Sequence, residues 1–395
     1  MNARPSEPLF RPAFVRLLTV QPLAGFAICV FYLLPKYITL ELHGTPSEVG
    51  LTNTVYGASS VVVVPFLAAA LDRWSPRRIV LAGIVMLAVA AAGFLAVDRF
   101  GVLLLTLRAI QGVAWALLFT AGMMLTIRVA PKARMAQAFG YYGAANLAMN
   151  AVAPAVAEMV AEAASWKVVF AIAAGIAAVA LVLARGLPEG EAPPRADPTS
   201  LVSVLLRPSS LWMTAIVVVW GAAFGAMFTF SQPFALLLKI RYVRGFFIAY
   251  TLAALFSRLG MGRLPDRVGY HRISVGSLGL YGAVVLSMQW LEPGWLEPIG
   301  AVFGLAHGLF FPAFSALTVE GTSEAERGKI MSLSNGGFNL GFALSGVVFG
   351  PIAERSGFPT VFLVAGLATF GGVAFLLSGR PADRAARSRV PLSSL

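Results

Sequence analysis

The chain has 395 residues, of which 58% are apolar and only 12% are charged. A soluble globular protein needs roughly a quarter of its residues charged to cover its surface, so this composition predicts an integral membrane protein. The net charge is +12. Because the basic residues fall in short loops between apolar runs, they favour contact with anionic lipid over binding of nucleic acid.

Composition also excludes several kinds of site. The single cysteine, Cys29, cannot form an intrachain disulfide, and one cysteine with three histidines is too few for a typical protein metal centre. The sequence contains no His-Glu-x-x-His, no Gly-x-Ser-x-Gly and no nucleotide-binding loop, so no chemistry for an intramembrane enzyme is visible. We therefore predict no enzymatic activity, no metal and no cofactor.

Apolar stretches long enough to cross a bilayer occur twelve times along the chain. The first is too long for a signal peptide and has no small-residue cleavage site after it, so we expect it to be retained. The predicted fold is an all-α integral membrane protein with twelve transmembrane helices. The predicted spans are 14–38, 47–71, 78–97, 101–127, 137–160, 165–185, 210–238, 245–264, 272–291, 296–319, 328–352 and 358–378.

Lysine and arginine indicate how these spans are oriented. If the N-terminus is cytoplasmic, 22 of the 30 basic residues fall on the inner side and 7 on the outer side. By the positive-inside rule, we expect both termini in the cytoplasm.

A linker divides the chain into two groups of six spans. The segment 186–209 begins with residues rich in proline, glycine and acid, which cannot bury apolar surface. It predicts a cytoplasmic linker between an N-terminal six-helix bundle, 1–185, and a C-terminal six-helix bundle with a short basic tail, 210–395.

The two groups of spans are copies of one another. Asp72-Arg73 after the second span returns as Asp266-Arg267 after the eighth span, 194 residues later. Such repeats are typical of transporters, in which two pseudo-symmetric bundles rock around a shared cavity. A transport function is therefore indicated by the repeat alone.

The loop after the second span reads ALDRWSPRR, and the loop after the eighth reads GRLPDRVGYHR. Here the sequence resembles the major facilitator superfamily, whose signature at both places is Gly-x-x-x-Asp-Arg-x-Gly-x-Arg/Lys. The first copy has Ala68 and Ser75 where the family has glycine. The resemblance implies a gating motif formed by Asp72, Arg73, Arg77, Arg78, Gly262, Asp266, Arg267, Gly269 and Arg272.

The free N–H groups at the start of a helix carry partial positive charge, which favours a nearby carboxylate. In a pseudo-symmetric protein we expect Asp72 against the start of the eleventh span and Asp266 against the start of the fifth. These contacts are expected to close the cytoplasmic side and to break when that side opens. Capping of the loop within a single bundle is the alternative.

Four residues are candidates for coupling transport to protons. Arg108 and Gln111 in the fourth span resemble the Arg-x-x-Gln-Gly pattern that is associated with coupling in proton-coupled members of the superfamily. His307 lies near the middle of the tenth span, and imidazole titrates near neutral pH. Glu158 lies near the outer end of the fifth span. The alternatives are a helix-packing role for Arg108 and a hydrogen-bonded core position for His307.

Polar and aromatic residues within the spans predict a substrate cavity, because polar side chains are expensive in lipid. Asn146 and Asn150, like Asn335 and Asn339, are spaced i, i+4 and can share a helix face. Interhelical hydrogen bonding is the alternative for each asparagine. The candidate cavity residues are Tyr32, Trp115, Asn146, Asn150, Tyr250, Arg258, Asn335 and Asn339.

Glycine and proline carry structural predictions. Glycines at four-residue spacing, which include Gly300, Gly304 and Gly308, predict close helix packing. Pro35 and Pro233, near the outer ends of the first and seventh spans, predict paired kinks.

Phrases in the fifth span, FGYYGAAN, and the tenth, GLAHGLFFPAFSAL, are similar to the bacterial drug-efflux and sugar-efflux (arabinose-like) branch of the superfamily. The fifth span keeps Pro154 but lacks both glycines of the Gly-x-x-x-Gly-Pro pattern of drug antiporters. The resemblance implies a secondary active transporter, a monomer in the cytoplasmic (inner) membrane of a bacterium, that exports a small drug or sugar-like solute by proton antiport. A solute importer and a membrane scaffold without transport are the alternatives.

Overall fold

The computed structural model describes residues 8–64, 66–67, 73–131, 134–189, 206–320 and 324–379. Asp72 lies outside the described residues, as do positions 190–205 of the predicted linker and the basic tail beyond residue 379.

Twelve long helices follow one another in the described residues. Ten are long and apolar enough to cross a membrane, and α2 and α8 are each 17 residues long as described. The all-α fold predicted from the sequence is therefore confirmed, with span boundaries shifted by a few residues. The helices are α1 Pro12–Leu40, α2 Pro46–Val62, α3 Pro76–Ala96, α4 Val102–Val129, α5 Met135–Ala163, α6 Trp166–Ala184, α7 Pro208–Leu237, α8 Arg244–Gly260, α9 Tyr270–Trp290, α10 Leu296–Val319, α11 Glu324–Ser356 and α12 Phe358–Leu377.

Local sequence determines where several helices begin. Thr45 and Glu48 form a capping box at α2, in which the Thr45 hydroxyl accepts from the backbone of Glu48 and the Glu48 carboxylate accepts from the backbone of Thr45. Ser75 caps α3 by accepting from the backbone N–H of Arg78. A serine at this position, where the family signature has glycine, therefore supplies a cap at the start of α3.

The two groups of six helices have the same internal packing. In the first bundle α2 packs on α4, α3 packs on α4 and α6, and α1 packs on α5 and α6. The second bundle repeats this pattern six helices later, with α8 on α10, α9 on α10 and α12, and α7 on α11 and α12. The predicted arrangement of two pseudo-symmetric six-helix bundles is therefore confirmed.

The bundles meet where α2 packs on α11, where α8 packs on α5, where the last turns of α1 contact those of α7, and where α2 contacts residues 226–230 of α7. The first two pairs are counterparts under the pseudo-twofold relation. We call the end formed by residues 34–50 and 231–245 the closed end, and the opposite end, where α5 and α11 begin, the open end.

Glycines show how differently the two ends are packed. A Cβ atom added to Gly346 on α11 would lie 2.0 Å from the carbonyl oxygen of Gly50 on α2, so the two backbones touch near the closed end. Toward the open end, a Cβ atom added to Gly143 on α5 or Gly336 on α11 would meet no atom of the described residues within 4 Å. In the described residues, α11 therefore makes close backbone contact with the other bundle at Gly346 and has no such contact at Gly336.

The packing predicted from glycine spacing is confirmed where α8 meets α10. An added Cβ atom on Gly304 would lie 2.0 Å from the carbonyl oxygen of Tyr250, and one on Gly300 would lie 2.7 Å from that of Phe246. Small residues therefore let these two helices approach closely.

Both α1 and α7 change helix type just before their prolines. In α1 a 3₁₀ segment, Val30–Leu33, precedes Pro35, and in α7 a π segment, Ala226–Phe230, precedes Pro233. Such departures from the α-helical ladder accompany bends. The predicted paired irregularities therefore lie at equivalent places in the two bundles, at the approach to the closed end.

We predict that Gly346→Ala lowers the melting temperature of the purified protein by several degrees, because the new methyl group must force α2 and α11 apart. Gly143→Ala is the matched control: its methyl group has space, and alanine is the better helix former, so the melting temperature should stay or rise. Intrinsic tryptophan fluorescence during heating gives both values. Equal melting temperatures for the two variants would contradict the close contact.

Candidate functional site

A buried ion pair of the first bundle contacts the second bundle at the closed end. Lys36 in α1 donates from Nζ to Oε1 of Glu158 in α5 at 2.5 Å, and both side chains are almost fully buried. Lys36 also donates to the carbonyl oxygen of Arg241, between α7 and α8, at 2.7 Å. Because Lys36 and Glu158 belong to the first bundle and Arg241 to the second, the pair depends on contact between the bundles.

Glu158 also occupies the N-terminus of α8. Its carboxylate accepts from the backbone N–H groups of Val243 at 2.9 Å and Arg244 at 2.8 Å. Such N–H groups have no partner within the helix, and the helix dipole favours negative charge there. We call Lys36, Glu158, Arg241, Val243 and Arg244 the closed-end junction.

A cleft of about 390 Å³ lies between the junction and the protein surface. It is lined by Lys36 and Glu158 and, one turn further along α5, by Glu162. Arg244 reaches Glu162 at 3.3 Å, and both side chains are partly exposed, so solvent screens this outer pair. The cleft gives water a route toward the carboxylate of Glu158.

The other interface between the bundles has polar contacts of its own. Asn53 on α2 donates to the carbonyl oxygen of Phe342 on α11 at 2.8 Å, and Thr54 donates to that of Ala343 at 2.7 Å. Nearest the closed end, the Ser47 hydroxyl donates to the Glu354 carboxylate at 2.5 Å. The α2–α11 interface therefore combines close backbone packing with hydrogen bonds. The α5–α8 interface combines buried charge with hydrogen bonds.

The gating motif lies at the open end, and the contacts of its described residues stay within one bundle. Arg77 donates to the carbonyl oxygen of Arg185 and lies 3.3 Å from Glu189. Asp266 is exposed and accepts from the hydroxyl of Tyr270 at 2.7 Å. Its predicted contact with the start of α5 thus remains a prediction for a conformation closed at this end.

The remaining motif residues are placed as follows. Gly269 has φ 102°, a left-handed conformation that favours glycine, and it connects the short helix Leu264–Val268 to α9. Gly262 lies against the backbone of Arg258, since an added Cβ atom would be 2.6 Å from its carbonyl oxygen. The other described motif residues are exposed, and they are Arg73, Arg78, Arg267 and Arg272.

Arg108 is buried within the first bundle. Its guanidinium donates to Oε1 of Gln111 at 2.8 Å and to the carbonyl oxygen of Thr52 at 3.4 Å, and it lies 4.5 Å from the ring centroid of Tyr56. It borders a cavity of about 30 Å³, which has room for one or two water molecules. Residues of both bundles line this cavity, including Tyr32 and Phe342.

His307 lies in an aromatic cluster within the second bundle. Its ring centroid is 5.1 Å from that of Trp220, 5.4 Å from Phe224 and 5.7 Å from Tyr250. Nδ1 of His307 is buried and has no hydrogen-bond partner among the described residues. A coupling role and a hydrogen-bonded core position both remain predictions for this histidine.

Tyr32 connects the two buried regions. Its ring lies 5.3 Å from Phe228 on α7, and Phe228 lies 5.1 Å from Tyr250. Its carbonyl oxygen accepts from Nε2 of Gln232, also on α7, at 2.7 Å. The path from Arg108 to His307 is thus lined by rings from both bundles.

The structure brings only some of the other cavity candidates together. Asn150 accepts from the Cys29 thiol at 3.4 Å, and Asn146 lies against Gly25, so both face α1. Asn339 donates to the carbonyl oxygen of Asn335 at 2.9 Å, within its own helix. Trp115 packs on Phe119 one turn along α4 and is partly exposed.

Two features were not found from the sequence. Lys36 was counted as an outer-side basic residue, whereas the structure buries it against Glu158. Trp220 and Phe224 in the seventh span carried no signal beyond hydrophobicity, although they contact His307. A lysine just after a proline, still inside an apolar span, was the available signal for the ion pair.

Comparison with known proteins identifies a matching family and several relatives. A family model described as Major Facilitator Superfamily matches residues 22–299 and 245–393. Multidrug resistance protein MdtG of Klebsiella pneumoniae is 30% identical over 139 residues, which cover 34% of each chain. Probable anion transporter 2, chloroplastic, of Oryza sativa subsp. japonica is 28% identical over 159 residues, which cover 39% of this chain and 28% of that protein.

These matches span about a third of the length of the curated relatives. Among solved structures, the nucleoside transporter NupG superimposes with a TM-score of 0.74 at 13% identity, over 93% of this chain and 99% of that chain. At this identity the likeness concerns the fold alone.

We predict that Glu158→Gln opens the closed end, because it leaves the ammonium of Lys36 buried without a counter-charge, a loss of about 3–5 kcal/mol. With Cys29 replaced by serine, a cysteine at the buried position Val243 reports opening through its reaction with a membrane-impermeant thiol reagent. Glu158→Gln should accelerate this reaction at least tenfold.

Glu162→Gln is the matched control, since it removes a carboxylate one turn away that is partly exposed and screened. Its labelling rate should stay within about twofold of the parent. Similar rates in the Glu158→Gln and Glu162→Gln proteins would show that the buried ion pair does not hold the closed end.

Proposed function

The chain belongs to the Major Facilitator Superfamily, and from this premise we propose that it exports a small organic solute by alternating access, coupled to inward movement of protons. The observation that carries the proposal is the one-sided contact between two pseudo-symmetric bundles. At the closed end a buried ion pair of the first bundle binds backbone groups of the second, while the described gating residues at the open end make contacts only within their own bundle. Rocking the bundles would exchange which end is shut.

The distribution of charge gives this arrangement a direction. By the positive-inside rule the open end, which carries the motif loops, faces the cytoplasm and the closed end faces outward. The conformation is then inward-facing, in the cytoplasmic (inner) membrane of a bacterium with both termini inside. The matching domain proposal is an N-terminal bundle 1–185, a linker 186–209 and a C-terminal bundle 210–395.

Export is supported by the relatives that carry the name multidrug resistance protein. The name of the rice relative points to anions instead, so the names of the relatives differ on the solute. A solute importer of the same fold uses the same two gates, and the experiment below separates the two directions.

Glu158 is the coupling group that the geometry favours over His307, because it is charged, buried and reached by a cleft from the closed end. Protonation from outside would neutralise the carboxylate and break its pairing with Lys36, which lowers the cost of opening outward. After the outer end shuts again, the proton leaves Glu158 toward the cytoplasm, and the ion pair with Lys36 re-forms. Solute binding from the cytoplasm then drives the next opening.

At the open end we propose that Asp72 and Asp266 act as the reciprocal latch. In an outward-facing conformation each aspartate would meet the N-terminus of a helix in the other bundle, α11 for Asp72 and α5 for Asp266. The closed-end junction uses the same chemistry, an acid on a helix N-terminus, with Lys36 in addition.

Everted membrane vesicles test direction and coupling together. In these vesicles the outward face points inward, so an acid interior should drive accumulation of an exported solute taken from a panel of drugs and sugars. Addition of that solute should also dissipate the gradient, as read by a pH-sensitive acridine dye. Glu158→Gln should abolish the gradient-driven accumulation, and Glu162→Gln should preserve it.

The other outcomes identify the alternatives. Uptake of the solute into whole cells, driven by an acidic exterior, would replace the export proposal with an importer. Equal fluxes in vesicles with and without the protein, for every solute of the panel, would favour a membrane scaffold.

A further inference from the structure

Several arginines of the membrane helices have no carboxylate partner in the described residues, and two of them contact aromatic rings. Arg108 is on α4 and Arg258 is on α8. Helices α1, α4, α7 and α8 contain no aspartate or glutamate, and α10 has only Glu297 in its first turn. The buried acid at the closed end, Glu158, is already paired with Lys36. The region between the bundles therefore carries uncompensated positive charge.

Arg258 is the less satisfied of the two. Its guanidinium lies 5.3 Å from the ring centroid of Phe311, one turn along α10 from His307, and its Nε is buried with no partner among the described residues. The ring of Phe311 lies 6.1 Å from that of Trp220, which in turn lies 5.1 Å from the ring of His307. Arg258 lies in the last turn of α8, toward the open end, and a buried donor without a partner is costly, so this Nε marks a place for an acceptor.

Arg108 provides the second positive charge on the other side of the interface. Its hydrogen-bond and ring partners, Gln111, Thr52 and Tyr56, are all neutral, and the adjoining cavity holds no more than one or two waters. Nε2 of Gln111 is buried beside it without a partner in the described residues. Donors therefore predominate here as well.

Aromatic rings fill the space between the two arginines. Tyr32 lines the same cavity as Tyr56 and Arg108. Phe228 packs between Tyr32 and Tyr250. Rings of this kind accommodate flat apolar bodies by offset or edge contacts. The two arginines therefore provide positive charge, and the rings provide aromatic surface for a ligand.

We propose that the transported solute is an amphipathic organic anion. Its carboxylate or sulfonate binds Arg258, with Arg108 as the second cationic group, and its aromatic body packs on the rings around Tyr32 and Tyr250. A cationic amphiphile would place a like charge beside two arginines in a low-dielectric interior, where no carboxylate balances it. This inference rests on the proposed transport function and specifies its solute class.

Binding of matched probes to the purified protein tests the solute class. The probes are 1-naphthylacetate, 1-naphthalenesulfonate, 1-naphthylmethanol and 1-naphthylmethylammonium, which share one ring system and differ in charge. We expect at least one anionic probe to bind at least tenfold more tightly than both the neutral and the cationic probe. Equal affinities, tighter binding of the ammonium probe or no binding of either anion would overturn the proposal.

Variants of Arg258 assign the preference to this residue. Arg258→Gln should weaken binding of the anionic probe at least tenfold, and Arg258→Lys should keep most of the preference because it keeps the charge. Arg99→Gln, at an exposed arginine in the loop between α3 and α4, is the control and should bind as the parent does. Undiminished anion binding by Arg258→Gln would remove Arg258 from the site.

Flux in vesicles and binding of the probes together separate a wrong solute class from a wrong transport function. Gradient-driven export of the ammonium probe in everted vesicles would leave the transporter standing and overturn the anion assignment. Selective anion binding without solute flux in vesicles would support the binding site and count against transport.

Discussion

The closed-end junction is the contact on which the conformation depends. A buried carboxylate is stable only when its charge and its lone pairs are matched, and Glu158 is matched by Lys36 and by the first N–H groups of α8. The helix N-terminus comes from the second bundle, whereas Lys36 and Glu158 come from the first. Separating the bundles at this end therefore strips the carboxylate of two donors and Lys36 of a carbonyl partner. The junction is a two-state element: complete when the end is shut and incomplete when it opens.

The pseudo-twofold relation pairs the interface that holds this junction with a second interface between the bundles. The α5–α8 interface holds the ion pair, and its symmetry mate, α2–α11, is held by backbone contact between Gly50 and Gly346 and by hydrogen bonds from Asn53 and Thr54. The prolines of α1 and α7 follow a 3₁₀ and a π segment at equivalent places, so both bundles have a point of bending near the same end. Between these contacts and the motif loops lie the arginines and aromatic rings. The architecture thus separates what shuts the protein from what would bind a solute.

The sequence predicted the features that depend on local pattern. Hydropathy predicted twelve helices, the repeat of Asp-Arg predicted two related bundles, and glycine spacing predicted the close packing of α8 on α10. It did not predict the burial of Lys36, because that requires α8 of the other bundle, some 200 residues away, to supply the surroundings of Glu158. The ring cluster around His307 was missed for a similar reason: Trp220 and Phe224 lie in a uniformly apolar helix, where periodicity does not tell protein-facing from lipid-facing positions. The gating acids remain predictions, since Asp72 lies outside the described residues and Asp266 makes its contact within its own bundle.

Distances between spin labels test the central role of the ion pair most directly. Labels at the exposed positions Leu40 and Leu237, near the closed ends of α1 and α7, report separation of the bundles in a background with Cys29 replaced by serine. In the otherwise unaltered junction we expect a short distance, and in Glu158→Gln a longer one. The double variant Lys36→Met/Glu158→Gln should restore the short distance, because it leaves no unpaired buried charge. A double variant that stays as open as Glu158→Gln, or a single variant that stays closed, would contradict the account.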